Sequence, residues 1–477
     1  MPDLPSSLKA TLAGEGFSPN QDLEVLDPAT GEAWATVPLA DGEAIERATQ
    51  AASESAEAMK AWPPHRRADF LRAIGSRLKD GKATLAEAIH RESGKPLKLA
   101  EGEVDRAVDT FRFAAHAAET LVSGEVMNLD VSPSGGGRLA MTRLVPAGPV
   151  AMITPFNFSL NLVAHKIAPA IAAGCPFVCK PADKTPVSAL MLGEILREFA
   201  GDFDAPPGAF SILPATTEAA APLVEDDRFK ILTFTGSDKV GWQLKAKAGK
   251  KKVFLELGGN GYCLVDAGQD LAHVVERITY GAFYQAGQSC ISVQCVLCHE
   301  ADYGELRDRL VKLAKSNDVP VGPMIRPEAT EKLKARMDDA VSSGAAALLC
   351  GGDLGGVWNT VMQPAVLEMH DLTHPLWTEE AFGPVVLLAK TPSMQAAIEQ
   401  TNRSRFGLQC GVFTDSRQTM MLAWDRLDVG GVIIGDIPSW RCDPMPYGGV
   451  KDSGLGREGP RFAMHDFLES RLMVVPG

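Results

Sequence analysis

The sequence predicts an α/β protein of two lobes with a small protruding β-hairpin. Three observations carry this. Apolar strands alternate with helical runs from Val150 to Gly241, and a second set of apolar runs spans residues 281–430. Between Val126 and Leu144, two extended runs flank a glycine-rich turn. Strand–helix alternation builds a parallel sheet with helices on both faces. A length of 477 residues suits two or three domains and a large core.

Taken in order, Leu23–Leu26 and Ala33–Val37 are extended runs joined by Asp27-Pro28-Ala29-Thr30-Gly31, a hairpin signature. From Asp41 to about Val122 the periodicity is helical, broken at Pro63-Pro64 and at Gly94-Lys95-Pro96. His65, Arg66 and Arg67 open one of these helices and read as a solvated face. Ser132-Pro133-Ser134-Gly135-Gly136-Gly137 is the turn of the protruding hairpin, and Arg471–Val475 is a further short apolar strand. Exposed strand edges invite pairing, so hairpin and terminal strand are expected to mediate a homodimer or homotetramer; a hairpin folded back on its own lobe is the alternative. In the middle section the expected strands are Val150–Ile153, Phe177–Cys179, Phe210–Leu213 and Lys230–Phe234, with helices at Asn161–Ala173 and Ser188–Phe199.

Composition narrows the function. A net charge of −13 opposes a broad nucleic-acid or anionic-membrane surface. No apolar run reaches the ~18 residues of a membrane helix, and Met1–Ser7 lacks the basic and apolar regions of a signal peptide. Nine scattered cysteines read as reduced thiols in a cytoplasmic protein. Cys295 and Cys298 lie in a strand-like stretch without a second ligand pair, so no metal site is expected.

The chemistry concentrates between Glu256 and Cys290. A carboxylate beside Gly258-Gly259 and a cysteine after Gly287-Gln288-Ser289 supply a base and a nucleophile, since a thiol reacts as its thiolate. Taken alone the pair is a weak signal, and an inert buried cysteine is the better reading. Gly236 to Gly241 follows a strand and opens a helix, a place where backbone N–H groups meet phosphates. Lys180 and Asp183 follow another strand end, where ligands of parallel sheets sit; a surface lysine and a helix cap are the bland reading.

The order of seven motifs decides. Thr154-Pro155-Phe156-Asn157, Lys180-Pro181-Ala182-Asp183-Lys184-Thr185-Pro186, Phe234-Thr235-Gly236-Ser237, Glu256-Leu257-Gly258-Gly259-Asn260, Gly287-Gln288-Ser289-Cys290, Glu379-Glu380-Ala381-Phe382-Gly383-Pro384 and Pro446-Tyr447-Gly448-Gly449-Val450-Lys451-Asp452-Ser453-Gly454 occur in sequence. The chain resembles the aldehyde dehydrogenase superfamily over nearly its whole length, and is similar to its branches for lactaldehyde and other small oxygenated aldehydes. The resemblance implies a Rossmann-like cofactor domain (residues 1–123 and 147–257), a second α/β catalytic domain (258–459) and an oligomerisation segment (124–146 and 460–477). It implies NAD(P)-dependent oxidation of an aldehyde to an acid. Cys290 would attack the carbonyl, Asn157 and the Cys290 N–H would hold the oxyanion, and Glu256 would activate the hydrolytic water. Thr154, Phe156, Lys180, Asp183, Gly236, Ser237, Gly258, Glu380 and Phe382 match cofactor contacts.

Glu256 favours hydrolysis over an acylating, coenzyme-A-dependent or reductive chemistry; those, and a silent cofactor-binding scaffold, are the alternatives. Asp183 stands where many NAD-preferring members have Glu, which favours NAD over NADP. Asp238 replaces a common Thr in the phosphate loop and is expected to point away. Gly435 stands where the family often has Asn, and the segment after Pro320 is short. The substrate funnel is expected near Phe158, Asn161, Ser289, Ile291, Trp440 and Arg441. Arg441 would pair with a distal anionic group of the aldehyde, or else with Asp443 or Asp436 at the mouth.

Overall fold

The computed structural model describes residues 8–19, 21–121, 124–316 and 321–476. The expectations for Met1–Ser7, for the helix limit at Val122 and for Pro320 lie outside the described residues. Its centre is an eight-stranded sheet. Phe210–Ile212, Phe177–Lys180, Val150–Ile153, Ile231–Thr235 and Lys252–Glu256 run parallel in that spatial order. Ala10–Leu12 and Gly454–Leu455 flank them antiparallel. The strands are continuously apolar because helices cover both faces. All five parallel strands end on one edge, so Thr154, Pro181, Gly236 and Leu257 emerge side by side. The strand order reverses beside Val150–Ile153, the switch point where such sheets bind ligands.

Helices Gly42–Ala61, Pro64–Asp80, Lys82–Ser93 and Leu97–Thr120 fill residues 42–120. Asp41 caps the first through the Ala44 N–H at 2.9 Å, Pro64 occupies the first turn of the second, and Gly94 ends the third at φ 71°. The solvated-face reading of the second helix fails at Arg67. Its guanidinium is buried, with Nε and Nη1 unpartnered, because Arg67 lies on the helix face that meets the core, while His65 stays exposed.

A seven-stranded sheet forms the second lobe, ordered Ala346–Cys350, Ala365–Met369, Val385–Thr391, Cys295–His299, Tyr262–Val265, Gln409–Phe413, Gly431–Ile434. Only the first pairing is antiparallel. Cys295 and Cys298 point into cores on opposite faces of this sheet, as a strand spacing of three requires. Gly435, at φ 73°, turns the chain at its edge; Asn, the usual residue there, is another side chain that tolerates this conformation.

The hairpin is part of a three-stranded sheet. Arg138–Pro146 pairs along its whole length with Leu468–Pro476, and Val126–Asn128 adds a short third strand. Pro460–Asp466 is a helix, not part of this sheet; Met464 and Phe467 belong to the core of the first lobe.

Candidate active site

The two lobes meet with the carboxyl edge of the first sheet facing the amino edge of the second. Glu256 ends a strand of the first. Cys290 and Glu380 each precede a strand of the second by five positions. A cavity of about 1320 Å³ opens between these edges.

The candidate nucleophile, Cys290, follows a strained turn. After the helix Leu271–Phe283, Gln285 (φ 53°), Ala286 (φ 54°) and Gly287 (φ 64°) are all left-handed. That conformation costs about 1 kcal/mol or more for a non-glycine residue, so it needs support from outside the turn. Gln285 Nε2 donates to the carbonyl of Asn157, and Gln288 Oε1 accepts from Ile325 N at 3.0 Å. A Cβ on Gly287 would lie 2.1 Å from the Gly383 carbonyl oxygen, so only glycine lets the two loops close. Cys290 Sγ lies 2.9 Å from Tyr447 Oη. Burial pushes its thiol up to about 12; the Tyr447 hydroxyl offsets part of this, while the charges of Glu256 and Glu380 oppose ionisation.

Both carboxyl oxygens of Glu256 are buried without a partner. Burial, then the neighbouring Glu458 charge, raise its pKa well above the carboxylate range. Glu458 behaves in the opposite way. Burial would raise it too, but Lys166 and Arg441 outweigh that and hold the carboxyl low. Lys166 Nζ is 3.5 Å and Arg441 Nη2 3.2 Å from Glu458. Between Glu256, Lys166 and Glu458 lies a second cavity of about 20 Å³, with room for about one water.

Asn157 is buried, donates from Nδ2 to the Gln288 carbonyl at 3.1 Å and leaves its own side-chain carbonyl free of partners. Its loop is pinned from behind. Glu103 Oε1 accepts from Leu160 N (2.9 Å) and Asn161 N (3.1 Å), and Glu103 pairs with Lys95. Lys95 Nζ stands 4.2 Å from the centre of the Phe158 ring. Ser159 Oγ donates to Glu92 at 2.8 Å.

One half of the cavity is walled by Phe156, Asp183, Gly236, Ser237, Gly258, Glu380 and Phe382. Ser237 caps the helix Asp238–Lys247, whose first turn faces the cavity. Burial pushes Glu380 up to about 7 even though Gly259 N donates to it at 3.0 Å. A Cβ on Gly258 would lie 2.4 Å from Glu380 Oε2. A helix N-terminus for phosphates, a carboxylate for hydroxyls and bare glycine backbone fit a dinucleotide. Lys180 does not line the cavity; its ammonium folds back to the Pro181 carbonyl at 3.3 Å. Thr154 lies behind the wall, its hydroxyl buried and unpartnered. Asp238 does not point away. It lines the cavity, neutralised by Arg405 at 2.6 Å.

The other half holds Phe158, Asn161, Ser289, Ile291 and Arg441. Trp440 is not in its wall; it is 46% exposed outside, since the turn that brings Arg441 inward sends its neighbour out. Arg441 pairs with neither expected acid. Asp436 is taken by Arg277 and Asp443 by Arg106 and His165, so Arg441 stacks 3.7 Å over the Tyr447 ring and reaches Glu458. Its Nε is buried and unpartnered.

Residues 17–473 match the model of the aldehyde dehydrogenase family. The chain belongs to the aldehyde dehydrogenase family. It is 35% identical over 471 residues to the 3-sulfolactaldehyde dehydrogenase of Priestia aryabhattai, covering 97% of this chain and 96% of the relative. Among solved structures it is similar to aldehyde dehydrogenase 21 of Physcomitrella patens in complex with the reaction product succinate. The TM-score is 0.95 and the identity 42%, over 99% of both chains. It is also similar to glyceraldehyde-3-phosphate dehydrogenase of Methanocaldococcus jannaschii complexed with NADP. There the TM-score is 0.90 and the identity 33%, over 96% of this chain and all of the other.

This aldehyde dehydrogenase uses NAD(P) and has its family's fold. Several residues of its site escaped sequence reading. Tyr447 stood inside a quoted motif without a role. Glu458 follows that motif by four residues, and only the β-bridge between Tyr447 and Glu458 brings them together. Arg106, Glu92 and Glu103 lie on ordinary-looking helices and Lys95 in the loop between two of them, and nothing in their local spacing marks them.

Proposed function

We propose that this aldehyde dehydrogenase oxidises a short aldehyde with a distal anionic group to the carboxylic acid, using Cys290 as nucleophile and Glu256 as base. The observation that carries the reading is Arg441: a buried guanidinium in the cavity wall whose Nε has no partner, stacked on the tyrosine that touches the nucleophile. Those two contacts set the guanidinium and the sulfur against the same tyrosine ring, so a short chain can reach from one to the other. The charge balance agrees. Arg441 and Lys166 share the Glu458 carboxylate, and Arg106 is matched by Asp443. Burial, with the Arg441 charge, depresses His165, so these three cations are held by two carboxylates. The succinate bound to the Physcomitrella relative and the sulfonate in the Priestia enzyme's name support the same class.

Cys290 reacts as its thiolate, its proton passing to water in the cavity, and the Tyr447 hydroxyl donates to that thiolate. The thiolate attacks the aldehyde carbonyl to give a thiohemiacetal. Its oxyanion is met by the Asn157 amide and the Cys290 N–H. Gly236, Ser237, Gly258, Glu380 and Phe382 would hold a dinucleotide, which when bound would supply the hydride acceptor. Glu256 then deprotonates the water that hydrolyses the thioester, and the small cavity toward Lys166 and Glu458 gives that proton a way out. Asp183, on the cavity rim, accepts from ribose hydroxyls and opposes a 2′-phosphate, which favours NAD over NADP.

The three-stranded sheet presents Leu472, Met473 and Val474 to solvent, and we read it as the face that meets a second copy. Nine free thiols suit a reducing, cytoplasmic setting.

Cofactor reduction tests the reading. Neutral, carboxylated, sulfonated and phosphorylated aldehydes are given with NAD or NADP, to wild type, Cys290→Ala and Arg441→Ala. The expected result is Cys290-dependent reduction, fastest with an anionic aldehyde and NAD. Arg441→Ala should raise KM for that aldehyde roughly 10- to 100-fold and leave neutral ones nearly unchanged. Equal KM values in Arg441→Ala and wild type for every anionic aldehyde would remove the substrate reading.

A further inference from the structure

At the cofactor end of the cavity one arginine holds three carboxylates. Arg405 Nη1 lies 2.6 Å from Asp238 and 3.1 Å from Asp452; Nη2 pairs with Glu379, to which Nε also donates at 3.2 Å. The three acids come from different places. Asp238 is in the first turn of the ten-residue helix that faces the cavity from the first lobe. Glu379 immediately precedes Glu380, and Asp452 lies in the loop before the strand Gly454–Leu455. The cluster is braced further. Asp452 N donates to the Arg405 carbonyl at 3.0 Å, and Trp242, on the same helix as Asp238, donates to the Asp452 carbonyl at 3.3 Å. Arg336 Nη1 reaches the Glu380 carbonyl at 2.8 Å and Nη2 the Glu379 carbonyl at 3.2 Å. Asp238, Glu379, Glu380 and Arg405 all line the cavity.

Asp238 is the problem the cluster solves. A carboxylate in the first turn suits the helix dipole, but it would repel a pyrophosphate brought to the same N-terminus. Arg405 is the cation set against it at 2.6 Å, shared with Glu379 and Asp452, and the same guanidinium fixes the segment carrying Glu380.

We propose that Arg405 is a cofactor-positioning residue, which neutralises Asp238 at the pyrophosphate helix and ties that helix to the Glu379–Glu380 segment of the second lobe. This rests on assigning that half of the cavity to the cofactor. Its function is electrostatic toward the dinucleotide and indifferent to the aldehyde, which sits in the other half.

The test is the NAD dissociation constant of the full-length enzyme, by titration calorimetry. It is measured for wild type, Arg405→Gln, Asp238→Asn, the double variant and Glu380→Gln, alongside the aldehyde KM at saturating NAD. Arg405→Gln is expected to weaken NAD roughly tenfold, since it leaves Asp238 uncompensated beside two phosphates, while aldehyde KM stays within about twofold. Adding Asp238→Asn to Arg405→Gln should restore NAD binding to within about threefold of wild type. A merely structural arginine would lower the melting temperature without that rescue. Unchanged NAD binding in Arg405→Gln, or a double variant as weak as the single, overturns the proposal. Glu380→Gln separates the two levels. If it weakens NAD while Arg405→Gln does not, only the role of Arg405 falls; if neither changes NAD binding, the cofactor assignment of this half falls with it.

Discussion

Removing one hydroxyl, by Tyr447→Phe, isolates the activation of the nucleophile. The Tyr447 ring is buried, and Phe keeps its volume and the guanidinium stacked 3.7 Å above it. What is lost is the 2.9 Å contact to Cys290 Sγ. Burial raises the Tyr447 phenol well above its usual value, so it stays protonated and donates to the thiolate. A hydrogen bond to a charged group contributes about 1.5–3 kcal/mol, and ~1.36 kcal/mol is tenfold. The thiolate fraction of Cys290 at fixed pH should therefore fall roughly 10- to 100-fold, and kcat/KM with it. The assay is the rate of iodoacetamide alkylation of Cys290 by peptide mapping, with the exposed thiol of Cys442 as internal reference. The Cys290 rate should drop against Cys442, while the melting temperature shifts by only a few degrees. An unaltered ratio of the two alkylation rates would refute the reasoning.

Further outcomes follow from the same structure. Glu256→Gln preserves shape but removes the base, so intact-mass spectra after aldehyde and NAD should show a persistent acyl adduct; no adduct would sink the assigned role. Lys95→Met leaves the Glu103 carboxylate buried and unpaired. It should cost about 3–5 kcal/mol in denaturant unfolding, with partial recovery on adding Glu103→Gln; a change under about 1 kcal/mol would show that the pair does not hold the loop. Glu92 is pushed up to about 7 by burial, with its Ser188, Ser159 and backbone hydrogen bonds opposing. Its folded pKa exceeds the unfolded one. Its favourable contribution is thus complete below about pH 4.5 and is lost as pH rises through about 7, by at most ~3 kcal/mol. Stability should fall between about pH 5 and 8, and Glu92→Gln should flatten that slope; parallel profiles for the two proteins would exclude it.

Much of the site was legible because its residues stand next to strand ends. Phe156, Gly236 and Glu256 follow or end apolar strands of the first lobe, and periodicity locates those ends without tertiary knowledge. Cys290 and Glu380 are marked by glycines whose need the structure explains: Gly287 meets the Gly383 carbonyl, and Gly258 meets Glu380. Arg441 was visible as an unusual cation, but its partner was not. Local spacing pointed to Asp436 and Asp443; the fold had already committed these to Arg277 and Arg106, from helices more than 150 positions away in the chain. Lys180, Thr154 and Trp440 show the converse. Nearness in sequence to a site residue does not place a side chain in the cavity, because adjacent residues on a strand or tight turn point to opposite sides.

The sequence by itself determined the α/β architecture and the family, because these rest on short-range periodicity and on motifs a few residues long. Tertiary structure alone decided the electrostatics. How far Glu256 and Glu458 are driven in opposite directions, and whether Asp238 is tolerated, depends on burial and on cations delivered by distant elements: Lys166, Arg405 and Arg441. Charge interactions act through space and through the local dielectric, and neither quantity exists until the chain has folded.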